Sequence, residues 1–355
     1  MGNAVDQSAH GLAFAAQATL LRCIISSLIL AAAILSSASI ASAQIIGRGR
    51  GPDPLIPIFT TLSSIGSVQN LAGDRQGLIV TNRVLASILG GFNEQINCTT
   101  CISAFGEIGS FSAGGHGRKA LTEDLSVLGG IAYSSYRSGD AHVTGMPLAA
   151  GSLRYDFTEL GVSRPYLEAG GILAPFGHAN FTRHYGFGPA DFPGSGGAST
   201  ANYAVFGRAG WVYRFSPVDE ASVGAELSRN WQHVGAYSEG VSPLNPIPLI
   251  NGGGTDEMNI AKVGGQLTHL IGTSIETQVN FGIAHSFGSR SGLAATLNGA
   301  AFKPALGDYT WGEYGARIGY RIQPNVVLDA FADGTVGPRP IGATVHGGVA
   351  VRYTF

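Results

Sequence analysis

Charge is scarce in this chain. Asp, Glu, Lys and Arg make up 12% of its 355 residues, about half the share usual in a soluble globular protein. The net charge is −2 at pH 7, which argues against a nucleic-acid partner, since that would need a basic face. Cysteine is nearly missing, with three residues. Two of them form one C-x-x-C, Cys98-Thr99-Thr100-Cys101, and there is no second pair to complete a zinc site. The phosphate loop GxxxxGK[ST] and the zinc helix HExxH are both lacking. Beyond the N-terminus no apolar run approaches the roughly 20 residues that a membrane helix needs.

The N-terminus does hold one apolar run. Leu20 to Ala43 reads LLRCIISSLILAAAILSSASIASA, with Arg22 ahead of the apolar Ile24–Leu35 and Ala41-Ser42-Ala43 before Gln44. This is the layout of a secretory signal peptide, here residues 1–43. A transmembrane helix is the alternative, but the apolar run is short and ends in small residues. Cys23 follows Arg22 and lacks the small residues of a lipoprotein site. Glycine supplies 53 residues, about twice the usual share. An exported chain with little charge, much glycine and no helical spans has one membrane solution. Lipid leaves no backbone amide unpaired, so the strands must close into a barrel.

The residue pattern agrees with this. In the last strand Ala343, Val345, Gly347, Val349, Val351, Tyr353 and Phe355 form one face, and Thr344, His346, Gly348, Ala350, Arg352 and Thr354 form the other. The same period of two recurs at 149–157, 202–215, 221–228, 275–283 and 313–322. Short links at 158–164, 216–219, 272–274 and 323–325 alternate with long Gly/Pro/Asn-rich links at 179–200, 234–255 and 288–307. Short turns belong on the periplasmic rim and long loops on the outside. Eleven strands stand out, at 102–116, 124–137, 143–157, 165–177, 202–215, 220–233, 257–270, 275–287, 309–322, 326–335 and 343–355. Bacterial barrels have even counts, so a twelfth is expected ahead of Cys98, near Gly91–Asn97, with ten strands as the alternative. Residues 44–97 form a leader. Within it Ser64–Gly90 fits either a lumen helix ended by Gly90-Gly91, a strand, or a disordered segment.

Ser110–Tyr133 (SFSAGGHGRKALTEDLSVLGGIAY) resembles the autotransporter β-domain family, in which a Gly-rich charged turn leads to a strand of the form L-x-L-G-x-x-x-G-Y. Here Ala132 replaces the second glycine. Phe206–Leu227 and Glu313–Phe331 resemble the later hairpins of that family, and the terminal VRYTF resembles its last strand. The resemblance covers residues 98–355. It implies an all-β fold: a transmembrane antiparallel barrel of twelve strands with a helix threaded through its lumen. It also implies that the barrel-assembly machinery reads the last aromatic, Phe355. The family carries a large passenger between signal and barrel, whereas only about 50 residues lie there in this chain, without an internal repeat.

Candidate residues follow from the alternation. Arg154, Asp156, Glu168, Arg208, Arg214, Glu226, Lys262, Glu276, Glu313, Arg317, Arg321, Asp329 and Arg352 are expected to face the lumen. There they would line a pore, contact a lumen helix, or pair across strands. Tyr133, Tyr155, Phe157, Trp211, Tyr213, Phe215, Trp231, Tyr320, Tyr353 and Phe355 fit interfacial girdles. In an oxidising compartment Cys98 and Cys101 are expected to form a disulfide rather than remain free thiols. His142, His178, His184, His233 and His285 fall near outer strand ends, but no spacing fixes a catalytic group. The chain is therefore read as a non-enzyme with no metal or cofactor. The expected partners are outer-membrane lipid and lipopolysaccharide, together with the assembly machinery. The expected role is a stand-alone pore or surface-anchored barrel, the alternatives being an adhesin-like barrel using its long loops and a passive porin.

The alternation has a direct test. Val349→Arg places a charge toward lipid at a cost of about 2–4 kcal/mol and is expected to block assembly, while Ala350→Ser is tolerated. Equal behaviour of the two in a heat-modifiability gel refutes the alternation.

Overall fold

The computed structural model describes residues 56–89, 100–108, 111–187, 190–242 and 244–355. The expected signal peptide, the start of the leader, Gly91–Asn97 and Cys98 lie outside these residues. One helix, α1 (Ile56–Leu89), leads into β1 (Thr100–Ile108), β2 (Phe111–Ala120), β3 (Leu125–Ser138), β4 (Ala141–Asp156), β5 (Ser163–Phe187), β6 (Ala190–Arg214) and β7 (Asp219–Val234). Then come β8 (Tyr237–Ser238), β9 (Leu249–Asn251), β10 (Gly254–Ile271), β11 (Ile275–Arg290), β12 (Ala295–Leu297) and β13 (Ala300–Phe302). The chain finishes with β14 (Thr310–Gln323), β15 (Val326–Val336) and β16 (Ala343–Thr354).

Twelve of these strands form a closed antiparallel barrel, β8, β9, β12 and β13 being left out of the ring. Closure joins β1 to β16, from Cys101 opposite Thr354 to Ile108 opposite Gly347. Side chains follow the period of two. On β16 Val345, Val349 and Val351 are exposed to the surroundings, while His346, Ala350 and Arg352 are buried inside. The outward aromatics Tyr133, Tyr155, Phe157, Trp211, Phe215, Tyr320, Tyr353 and Phe355 are likewise exposed.

The count of twelve agrees with expectation, but the twelfth strand is found elsewhere. The ring closes without Gly91–Asn97, because the span read as one strand at 102–116 is a hairpin, β1 and β2. Its signature is a parity change. The buried positions are Cys101, Ser103, Phe105 and Glu107 on β1, then Ser112 on β2. A strand cannot change parity without a turn or a bulge.

The three long links are also more ordered than expected. Residues 179–200 are the outer halves of β5 and β6, paired as far as Phe187 opposite Ala190. Segments 234–255 and 288–307 contribute β8, β9, β12 and β13, which form a second sheet in the order β13-β12-β9-β8. That sheet lies over the outer mouth. The short turns, the start of β1 and the C-terminus share the opposite, periplasmic rim.

Inside the ring runs α1. No helix among the described residues is long and apolar enough to cross a membrane, and α1 is enclosed by protein. Every side chain from Arg75 to Ala86 is buried, polar ones included. A helix surrounded on all sides has no solvent face, which explains why its apolar residues follow no single stripe. Leu71, Leu78 and Leu85 pack with Tyr136, Val143, Met146, Phe181, Tyr237 and Leu249 from the outer wall and cap. Ile79, Val80 and Val84 pack with Met258, Ile260, Ala284 and Trp311. The lumen around the helix therefore holds an apolar core beside its buried polar groups.

Gly77 is where α1 comes closest to the wall. A Cβ there would lie 2.8 Å from the Pro340 carbonyl oxygen and would overlap the Ser138 hydroxyl. Gly77→Val is expected to weaken helix docking by about 1–3 kcal/mol, the usual cost of overpacking. The measurement is the unfolding temperature of the folded band in a heat-modifiability series. An unchanged temperature would mean that the helix is not held against this wall.

Candidate functional site in the lumen

The periodicity that aims charges inward also sets them in rows. Across β4, β5, β6, β7 and β10 the register places Arg154 opposite Glu168, Glu168 opposite Arg208, Arg208 opposite Glu226, and Glu226 opposite Lys262. The signs alternate along this row. Arg208 donates to Glu168 at 2.7 Å and to Glu226 at 2.9 Å. Arg154 donates to Asp156 at 2.7 Å, and its guanidinium stacks 3.8 Å above the Tyr166 ring.

A second cluster occupies the wall formed by β11, β14, β15 and β16. Arg317 donates to Glu276. Arg352 donates to Asp329 at 2.9 Å and to Glu276 at 3.3 Å. All four side chains are at least nine-tenths buried.

Helix α1 joins the two walls through Arg83, whose Nη1 donates to Glu313 and Nη2 to Glu226, each at 2.6 Å. Glu313 also accepts from Lys262 at 2.5 Å and from the Trp311 indole at 3.0 Å. About two turns toward the outside, Arg75 donates to Asp256 at 2.6 Å, and Gln76 donates to the Gly307 carbonyl at 2.7 Å. On the same helix Asp74 accepts from the Asp140 backbone N–H at 3.2 Å, and burial lifts its carboxyl to about 6.

The first turns of α1 meet the cap. Arg183, on the outer part of β5, forms a two-pronged pair with Glu239 at 2.6 and 3.0 Å. Its Nη1 donates to the hydroxyls of Ser64 and Ser67 at 2.8 and 2.9 Å. Glu239 also accepts from the Leu249 backbone N–H at 2.9 Å. The Tyr185 hydroxyl donates to Asn245 at 2.6 Å. This node ties the long hairpin, the 239–249 segment and the helix together.

Most of the expected lumen residues are therefore buried inside the barrel, and two of them, Glu226 and Glu313, meet α1. Arg214 and Arg321 are not: both lie exposed at the periplasmic rim, where Arg214 meets Glu220 at 3.3 Å and Arg321 donates to the Pro324 carbonyl at 3.0 Å. They are the last inward positions of their strands, so parity holds while enclosure ends. Phe355 is exposed, and its backbone N–H donates to the Thr100 carbonyl at 3.1 Å, across the closing seam. Cys101 is disulfide-bonded. Among the described residues no group of three His, Cys, Asp or Glu side chains could hold a metal ion.

Arg75, Arg83, Arg183 and Glu239 were not expected. Two arginines on a helix enclosed by protein are a signal, since a buried cation requires a carboxylate. Arg183 and Glu239 sit in segments read as loops, where no parity marks them.

The sequence matches no family model and no curated protein. Solved structures are similar in fold. The translocator domain of the autotransporter NalP from Neisseria meningitidis aligns with a TM-score of 0.51 at 14% identity, over 85% of this chain and all of that one. The beta domain of the Bordetella autotransporter Brka aligns at 0.44 and 13%, over 72% of this chain and 99% of that one. The monoaromatic hydrocarbon channel CymD aligns at 0.45 and 10%, over 79% and 92%. The first of these carries the fold assignment, and the resemblance read from the residues holds at that level.

Removing Arg83 leaves Glu226 and Glu313 without a shared cation. Arg83→Ala is expected to destabilise the folded barrel by about 3 kcal/mol, read by denaturant unfolding in detergent. Arg83→Lys, which restores a cation between the two carboxylates without the fork, is expected to recover part of that loss. Unchanged stability in Arg83→Ala would show that the helix is held by packing alone.

Proposed function

We propose that this outer-membrane β-barrel is a translocator-type barrel closed by its own helix, anchoring the segment ahead of α1 at the cell surface rather than serving as an open channel. The observation that carries this is the Arg83 fork between Glu226 and Glu313. It places a charged helical residue at the centre of the lumen with partners on both walls. A helix passing loosely would have no such match. Its outer turns are seated in the Arg183–Glu239 node, so α1 is held at two levels.

The fold likeness to the NalP translocator domain supports the same reading. The role is non-enzymatic in this proposal: the lumen charges are spent on one another and on α1. Outside, His184 meets Asp191 at 2.8 Å with both side chains about half exposed, a pair that water screens. The outer leaflet, with its lipopolysaccharide, surrounds the outer strand ends. The assembly machinery engages the last strand, with Phe355 as the terminal aromatic. A passive porin is the rival reading.

Planar-bilayer recording separates the two. The full chain is expected to show little conductance, and deletion of residues 56–89 to raise it by about an order of magnitude, a twelve-strand ring being wider than the filled eight-strand ones. An open full-length channel, unchanged by the deletion, refutes the plug.

A further inference from the structure

The lipid-facing wall is not uniform. Between β4 and β5 the ladder breaks: Thr144 is opposite His178 and Ala149 opposite Leu173, with no pairing between these points. Pro147 and Pro175 lie in the break and lack the N–H that a ladder needs. Gly145 bends β4 at φ +65°, and the Tyr133 hydroxyl lies over it, 2.9 Å from where a Cβ would stand.

Beside this break the wall carries an open apolar groove of about 700 Å³. Its lining includes the small residues Ala113, Gly114, Gly115 and Ala149. Its sides are Ile131, Tyr133, Leu173 and Phe176, which are 71%, 54%, 48% and 73% exposed. A tilted strand crosses the hydrocarbon in about 9–11 residues. The groove therefore lies in the outer half of the span, counted from the periplasmic ends of β3, β4 and β5.

Polar groups gather at its outer end. Arg137 on β3 stands opposite His142 on β4, and His142 opposite Asn180 on β5. Arg137, His178 and Asn180 are exposed on the outer surface and His142 is half-buried there. The His142 ring nitrogen meets the Ser135 hydroxyl at 3.1 Å. The His178 and Asn180 side chains both lie over Gly197 of β6. Asp140, in the turn above, has its backbone N–H bonded to Asp74. A cation and two imidazoles thus sit just above an apolar groove, at headgroup height. Phosphate recognition there needs charge and N–H donors, which these residues provide.

We infer that this wall is a binding site for one phosphorylated, acylated glycolipid of the lipid A type from the outer leaflet. An acyl chain lies in the groove, and a phosphate rests on Arg137, His142 and His178. The inference rests on the outer-membrane reading and on the orientation that puts the long hairpins outside.

The test uses the full chain in detergent with added diphosphorylated lipid A, read by native mass spectrometry. One retained lipid A is expected. The triple change Arg137→Ala, His142→Ala, His178→Ala is expected to reduce retention at least about fivefold, taking near 1 kcal/mol for a cation at a headgroup. Ala149→Phe, which fills the groove, is expected to do the same, whereas Ile318→Phe on the opposite wall leaves retention intact. Equal retention of dephosphorylated lipid A, or of phosphatidylglycerol, overturns the inference, as does full retention by the triple variant. Heat-modifiability of each variant reports separately that the barrel is folded. A folded barrel without retention sinks the lipid site and leaves the barrel reading standing.

Discussion

Closure of the backbone hydrogen-bond ring is the constraint on which the structure depends. Hydrocarbon offers no partner to an amide, so the first strand must find the last. Once β1 pairs with β16, twelve strands enclose a space that side chains from the wall alone do not fill. A helix fills it. Its presence changes what the inward faces must be: apolar where α1 packs on Met258, Ile260 and Trp311, and acidic where its arginines arrive, Asp256 for Arg75 and Glu226 with Glu313 for Arg83.

The charged row across β4 to β10 is better understood as a device for position than as a source of stability. Buried ion pairs lose most of their Coulomb energy to desolvation. What they do enforce is register. A slip of one residue between β5 and β6 would turn Arg208 toward lipid and leave Glu168 without its partner. The same holds for the helix. Arg75 and Arg83 are two turns apart, and each meets its own acid, Asp256 for one and Glu226 with Glu313 for the other. A helix shifted by one turn would satisfy neither.

Much of this was legible in the residues. The period of two placed Arg154, Glu168, Arg208, Glu226, Glu276, Glu313, Arg317, Asp329 and Arg352 on the inside, because lipid tolerates no such charge outside. The lumen helix was among the readings of Ser64–Gly90, and it could not be chosen because an enclosed helix needs no amphipathic stripe. The hairpin of β1 and β2 was read as one strand, although the parity change from Glu107 to Ser112 marks it. Less legible was the cap. Strands of two or three residues such as β8 and β9 are too short for alternation to register. The outer part of β5 reverses its parity at Pro175 and Phe176, so Arg183 loses its relation to Glu168.

The place of α1 in the chain has a topological consequence. It immediately precedes β1, one of the two strands whose union shuts the ring. Bringing it in afterwards would mean dragging Arg75 and Arg83 past apolar side chains such as Leu249, Met258 and Trp311, which are fully buried. A helix already lying within the sheet's curve when the seam zips avoids that passage. Encirclement and sealing are then a single event, and the finished cylinder is a knotless snare around its own leading segment.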